Sequence, residues 1–303
     1  VIAVGGITAG VRAAPAASGD VRLAPRGWRW ESYGGVQLTV PATWKWGVTG
    51  SPWCTSDKPQ LPTVGRQGPV WAVRCATTEP PVALRAAHAW LQPAREPSGL
   101  RRDVGAGWRE YRRSVAGVQL DVLDNQRGQA ERILASLQPV RRVDQAGCRT
   151  TAPVIADRQW RPHAAPISQV ATQPITTVSI CRYQLPGGGM PSPPAPLLAS
   201  SRLSQSGASQ LARVLAGAPP GGGPDTPQDC IPQATLGDEV IVVTIRAETA
   251  TSQVVVRYSG CSRHGMDDGH QRRRLTRPAL QYVLAGPNMP FSLSDAVWRL
   301  ENR

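Results

Sequence analysis

The chain has 303 residues, 41% hydrophobic and 18% charged, which is enough apolar surface for a buried core and too little charge for a disordered chain. Lys+Arg 34 against Asp+Glu 21 leaves +13, and every basic residue except Lys45 and Lys58 is an arginine. No apolar run reaches the roughly 18 residues of a bilayer-spanning helix, and the length favours two domains over one.

Val1 to Val11 is apolar but carries glycines at 5, 6 and 10, and an Ala/Pro stretch follows from Arg12 to Ser18. Two readings fit: the tail of a signal peptide cleaved near Ala14–Ala16, or the outer end of a membrane anchor. Residues 1–20 are therefore expected to be the end of such a region plus a linker. Trp28 to Tyr33 alternates, Gly34-Gly35 turns, and Val36, Leu38 and Val40 alternate with Gln37 and Thr39, which predicts a hairpin. Residues 49–68, rich in Pro, Gly and Ser, read as a long loop carrying Cys54, and Val70 to Cys75 as a strand. Pro81 suits a first helical turn, and the alanines after it predict a helix through Trp90-Leu91. Trp108 to Tyr111 and Val118 to Val122 read as strands. Asp124 or Asn125 can cap a helix whose apolar face is Ala130, Ile133, Leu134 and Leu137. These elements make an N-terminal α+β domain over 21–142. Gly35–Val40 is echoed by Gly117–Val122, six residues of a common amphipathic strand pattern and too short for a repeat.

The opening Gly35-Val-Gln-Leu-Thr-Val-Pro41-Ala-Thr-Trp44 and the closing Ile133-Leu-Ala-Ser-Leu137 resemble the small secreted α/β sandwich of PsbP-like lipoproteins, over about residues 28–140. That resemblance implies a shape that hosts many non-enzymatic binding roles and constrains activity little.

Residues 141–174 thin out into polar, Pro-containing chain, which places a domain boundary near 141–150 and a C-terminal α+β domain over 146–290. A strand is predicted over Ile175 to Leu185, then an exposed Pro/Gly loop to Pro196. A helix follows over about 206–216, with Ser204 or Ser206 as cap, Ala208, Leu211, Ala212 and Leu215 as its face, and Gly217 as its stop. Beyond a second Pro/Gly loop, Glu239 to Arg246 and Gln253 to Tyr258 read as paired buried strands. Thr276 caps a helix ending near Gly286, and the tail 291–303 can form one more. The run Val255-Val-Arg-Tyr258-Ser-Gly260-Cys261, then His264-Gly-Met-Asp267-Asp268-Gly269 and Arg274-Leu-Thr276, resembles a domain of uncharacterised exported or membrane-anchored actinobacterial proteins. The likeness extends upstream through Leu211–Pro220 and Gly237-Asp-Glu239, and covers about 175–287. It implies an extracytoplasmic address and supplies no catalytic residue. The expected fold class is α+β: two small disulfide-containing domains with antiparallel sheets and few helices.

Six cysteines stand at 54, 75, 148, 181, 230 and 261, never closer than 21 positions, so the paired knuckles of structural zinc sites are absent. Fifteen connectivities are possible, but spacings of 21, 33 and 31 within pairs favour sequential bridges Cys54–Cys75, Cys148–Cys181 and Cys230–Cys261. Disulfides persist outside a reducing cytosol, which points to export. The basic excess is spread over the chain: 18 basic and 11 acidic residues in 20–145, 15 and 10 in 146–303. Clusters such as Arg101-Arg102, Arg112-Arg113, Arg141-Arg142 and Arg272-Arg273-Arg274 are not interleaved with aromatics, which argues against nucleic acid and for solvated faces with an affinity for anionic envelope surfaces.

The densest polar constellation lies between Cys261 and His270. His264, Asp267, Asp268 and His270 are candidate divalent-metal ligands. The competing and favoured reading is a Gly-bounded turn whose carboxylates bond backbone amides and pair with Arg272, Arg273 and Arg274. No Gly-x-Ser-x-Gly elbow, phosphate-binding loop or dinucleotide fingerprint occurs, and neither His88 nor His163 has a partner suggested by spacing. Trp28, Trp30, Trp44, Trp46 and Trp53 can line a glycan or peptide groove, or fill the core of a chain with one Phe. Two functional expectations follow. The first is a non-enzymatic ectodomain that needs no cofactor and binds or senses an envelope ligand or partner protein, held at the membrane through an N-terminal anchor or secreted. The second is a secreted metal-dependent hydrolase working through the 264–270 loop.

Overall fold

The computed structural model describes residues 22–48, 53–55, 60–67, 75–77, 80–187, 192–226, 228, 237–290 and 293–302. The first hairpin forms as its alternation predicts: β1 (Trp28–Tyr33) runs antiparallel to β2 (Val36–Pro41), with Tyr33 opposite Val36. Gly34 in the turn takes φ +57°, and a Cβ there would come 2.8 Å from the Val118 side chain, so only glycine fits. Next come β3 (Lys45–Val48), β4 (Thr63–Arg66), β5 (His88–Pro93), β6 (Arg101–Asp103), β7 (Arg109–Val115) and β8 (Val118–Asp124). They form one sheet in the order β3-β4-β5-β8-β7-β6, parallel across β3, β4 and β5 and antiparallel elsewhere.

Two expectations fail in this half. The expected loop 49–68 contains β4, whose Val64 is fully buried between its neighbours. The expected helix from Pro81 to Leu91 is a single 3-10 turn at Val82–Leu84 followed by β5. Ala89 and Leu91 alternate inward along β5 while β4 and β8 bond it on both edges, and that pairing outweighs the helix preference of its alanines. The expected strand Val70 to Cys75 lies, except for Cys75, outside the described residues, as does the region 1–20. Among the described residues no helix is long and apolar enough to cross a membrane.

Helix α1 (Arg127–Ser136) starts where the acidic residue announced it, although the cap position is Gln126: Asp124 Oδ1 accepts the Gln126 N–H at 2.9 Å and Oδ2 the Gln129 amide at 2.8 Å. Ala130 and Ile133 are buried against the cluster of Tyr33, Leu38, Leu91, Leu120 and Val122. β9 (Gln138–Pro139) closes this half by pairing with β2 in a three-stranded sheet β1-β2-β9.

The second half begins with two short helices, α2 (Pro153–Ala156) and α3 (Ile167–Val170), then β10 (Ile175–Gln184), β11 (Leu197–Ser204), α4 (Gln205–Ala216), β12 (Glu239–Ala247) and β13 (Thr251–Arg257). A small hairpin, β14 (Gly265–Asp267) and β15 (Arg272–Arg273), precedes α5 (Arg277–Val283) and α6 (Asp295–Glu301). The antiparallel sheet runs β11-β10-β12-β13-β14-β15. Its two faces follow the strand period of two. Ile241, Val243 and Ile245 join Leu211, Leu215, Leu280 and Val283 under α4 and α5, while Val240, Val242 and Val255 pack with Cys148, Val154 and Tyr183 on the other side. Thr276 caps α5 through its side-chain oxygen, which accepts the Ala279 N–H at 3.4 Å. Ser204 holds the cap position of α4 without a side-chain bond. The protein is thus α+β, with three mainly antiparallel sheets and six α-helices among the described residues.

Cys54–Cys75 and Cys148–Cys181 are bridged, each with a Cα–Cα distance of 5.6 Å. Cys261 is also disulfide-bonded, and its expected partner Cys230 lies outside the described residues. The bridges suit an oxidising compartment.

Segment 141–150, expected as an open boundary, is a tied turn. Asp144 Oδ1 accepts the N–H groups of Ala146 at 3.0 Å and Cys148 at 2.8 Å, and Oδ2 accepts the Ser200 hydroxyl of β11. The Gln145 N–H reaches Gln37 Oε1 at 3.1 Å, and the Gly34 N–H donates to Leu197 O at 2.7 Å, so both halves hold this turn. Leu198 packs into the N-terminal cluster. Limited proteolysis of the native protein should therefore spare 141–150. Asp144→Ala should expose it to cleavage and lower unfolding stability by about 2–4 kcal/mol, because a buried carboxylate with three donors is lost. Preferential cutting of the unsubstituted protein at 141–150 would contradict this.

Candidate functional site

The loop that leaves β13 and the β14–β15 hairpin carry the residues that the sequence singled out, and each is engaged by the protein itself. Asp267 receives both arms of Arg161, Nε to Oδ2 at 2.8 Å and Nη2 to Oδ1 at 2.9 Å, together with Arg272 Nε at 3.2 Å and the Gly269 N–H at 2.9 Å. Asp268 accepts the N–H groups of Ile167 at 3.0 Å, His270 at 2.9 Å and Gln271 at 2.7 Å, and Arg273 Nη1 at 3.0 Å. Both carboxyl groups are held below the ordinary carboxylate range. Burial pushes each up, and these hydrogen bonds and guanidinium charges outweigh it. Gly269 at the tip has φ +86°, and its missing Cβ would stand 1.8 Å from Pro162 O, so the turn seats directly on the chain entering α3.

The buried His264 has Nδ1 at 2.5 Å from Pro224 O and Nε2 at 3.1 Å from Gly260 O, while His270 Nε2 lies 3.0 Å from Ala164 O. With ring nitrogens facing carbonyls and carboxylates saturated by amides and guanidinium groups, these four side chains do not assemble a donor set. Among the described residues no group of three or more His, Cys, Asp or Glu is placed to hold a metal ion. The expected ligands His264, Asp267, Asp268 and His270 thus share one loop without sharing a coordination centre, because both carboxylates, both His264 ring nitrogens and His270 Nε2 already have protein partners.

The other sequence candidates are dispersed. His88 stacks on Trp90 with ring centroids 3.8 Å apart, and burial pulls its pKa down to about 4, which keeps it neutral without a catalytic partner. Trp44 is core; Trp28 lies under the Arg132 guanidinium at 4.1 Å and Trp46 under Arg29 at 4.2 Å. Trp30 Nε1 donates to Arg22 O at 3.0 Å. These rings have separate structural partners, and the Trp53 side chain lies outside the described residues.

What the fold does bring together is positive charge. A cleft of about 850 Å³ is lined by Arg158, Arg161, Arg257, Arg263, Arg272 and Arg274. Gly221 to Asp225 form one wall and the β14 strand another, and the lining carboxylates are Asp225 and Asp267. Asp267 is matched to Arg161 and Arg272. Asp225 accepts the N–H groups of Arg263 at 3.1 Å and His264 at 2.9 Å. No carboxylate among the described residues lies within ion-pair distance of Arg158, Arg257, Arg263 or Arg274.

Arg257 matters most, because it is half-buried at the end of β13 and its one described hydrogen bond is a long contact, 3.4 Å, to Trp160 O. Burial pulls its pKa below the ordinary arginine value, and the charges of Arg272 and Arg263 push it the same way against Asp267 and Asp157. Among the described residues no direct ion pair neutralises this cation; Asp267, the strongest opposing charge it feels, is already bonded to Arg161 and Arg272. Of this set, sequence reading marked Arg272 and Arg274 as a cluster; Arg158, Arg161, Arg257 and Arg263 lie up to 114 positions upstream of Arg272 and no linear motif links them. Comparisons with protein-family models, with curated proteins and with solved structures give no match for this chain.

Proposed function

We propose that the protein is a non-enzymatic extracytoplasmic binding module, anchored at the membrane or secreted, and that the arginine-lined cleft takes an anionic ligand of the cell envelope. Four guanidinium groups that form no ion pair with a carboxylate among the described residues, one of them half-buried, are the observation that carries this reading. Such a cleft focuses a positive potential and raises the local concentration of anions. The disulfides support the extracytoplasmic address. The test is thermal unfolding of the purified protein at low ionic strength against a panel of anions and of neutral sugars. Anions should raise Tm saturably, as ligands of the native state do, and neutral sugars should not. Arg257→Gln should remove the effect. An unchanged Tm with every anion in the panel would overturn the reading.

A further inference from the structure

We infer that the ligand of the arginine cleft carries clustered phosphate groups, at least two of them, read by charge and oxygen geometry; this rests on the anion-binding reading above. Charge density is the first support. Six lining arginines against two lining aspartates leave four positive charges to match within about 850 Å³. A phosphate monoester carries about −1.5 to −2 at neutral pH, so two phosphates meet that demand in a small volume where four separate carboxylates would be needed.

Direction is the second. The guanidinium groups arrive from different parts of the fold: Arg158 and Arg161 from the chain between α2 and α3, Arg257 from the end of β13, Arg263 from the following loop, and Arg272 and Arg274 from β15 and its exit. A tetrahedral phosphate presents three terminal oxygens to donors from several sides, whereas a carboxylate accepts mainly in its own plane. The lining is the third. No Phe, Tyr or Trp is among its described residues, and Trp160 offers Arg257 only its carbonyl oxygen. Among the described lining residues no Phe, Tyr or Trp face is offered to a nucleobase or a sugar, so charge and hydrogen-bond donors are what the cleft presents.

Clustered phosphate occurs in soluble oligophosphates and in membrane-borne headgroups, and one experiment on the whole protein separates them. Tripolyphosphate, orthophosphate and citrate are titrated calorimetrically at about 0.01 and 0.15 M ionic strength. In parallel, phosphatidylcholine vesicles with and without phosphatidic acid, whose headgroup is a phosphate monoester, are tested by co-sedimentation. Saturable tripolyphosphate binding at least about tenfold tighter than that of orthophosphate or citrate supports the assignment, with a soluble source. Binding to phosphatidic acid vesicles and not to pure phosphatidylcholine, with tripolyphosphate competing, supports it with a membrane source.

Arg257→Gln should weaken either binding about tenfold or more. The exposed Arg263→Gln/Arg274→Gln pair should do the same if the half-buried substitution impairs folding, while the exposed Arg213→Gln on α4 should leave binding unchanged. Citrate binding as tightly as tripolyphosphate, with both lost in Arg257→Gln, overturns the phosphate assignment and leaves the anion reading standing. Tripolyphosphate binding that survives all the cleft variants overturns the location. No saturable binding of any anion overturns both readings.

Discussion

Replacing Glu31 with alanine should destabilise the fold by roughly 3–5 kcal/mol, because it strands a buried cation. Glu31 is 1% exposed at the centre of β1, and its two oxygens are fully used. Oε1 accepts Arg29 Nε at 2.6 Å and Trp46 Nε1 at 2.7 Å, and Oε2 accepts Arg66 Nη2 at 2.6 Å. Arg66, 3% exposed in β4, has the carbonyl oxygen of Ser32 as its other partner, at 3.3 Å from Nε and 3.1 Å from Nη2. Burial pulls the Arg66 pKa down and the Glu31 carboxylate holds it up. Without Glu31, a guanidinium group enclosed by the sheet retains one neutral acceptor among the described residues. Urea unfolding of Glu31→Ala, Arg66→Met and the double variant should show a double penalty smaller than the sum of the singles, by about 1–3 kcal/mol. A Glu31→Ala penalty under about 1 kcal/mol, typical of a solvated pair, would contradict the buried network.

Asp268→Ala should cost about 3–4 kcal/mol at neutral pH, since a carboxylate that ties three backbone N–H groups and a guanidinium together is lost. Its partners join the β14–β15 turn to the first residue of α3, a hundred positions upstream, so the loss should loosen one end of the cleft as well. The penalty has a definite pH dependence. The folded state keeps this carboxyl ionised to lower pH than the unfolded chain does. The contribution is therefore complete above the unfolded value of about 3.9 and disappears as pH falls through the folded one. Unfolding measured at pH 7 and again below pH 4 should show the difference between the parent and Asp268→Ala shrinking in acid. An equal difference at both would mean that packing, and not the ionised carboxylate, is what the side chain supplies.

Much of the architecture was legible because it rests on local periodicity. The β1–β2 hairpin, the long β10, the β12–β13 pair, α4 and the Thr276 cap were all read from alternation, a 3.6-residue stripe or a capping residue, and they stand where expected. Two bridges also follow the sequential pairing, Cys54–Cys75 and Cys148–Cys181. β5 was misread because Ala-rich chain carries no signal of its own strand partners; β4 and β8 supply those from elsewhere in the sequence. Arg66 and Arg182 give the same lesson from the polar side. Both look like surface residues in a string of letters, yet Arg66 is buried against Glu31 and Arg182 against Glu239, its Nη1 3.2 Å from Oε2.

The candidate site divides the same way. His264, Asp267, Asp268 and His270 were visible because they crowd one short stretch, and crowding in sequence is what a reader can detect. Whether they face one centre or four separate partners depends on the chain around 161–167 and 224, which meets them only after folding. The sequence by itself determined the fold class, seven of the fifteen described strands and four of the six described α-helices, the spacing of the cysteines and the surplus of arginine, since each is a property of local pattern or of composition. Tertiary structure alone decided which arginines converge and which keep a carboxylate. Coulomb interactions act through space and fall off with distance, and folding sets the distance from Arg257 to Arg263 and Arg272 while chain order does not.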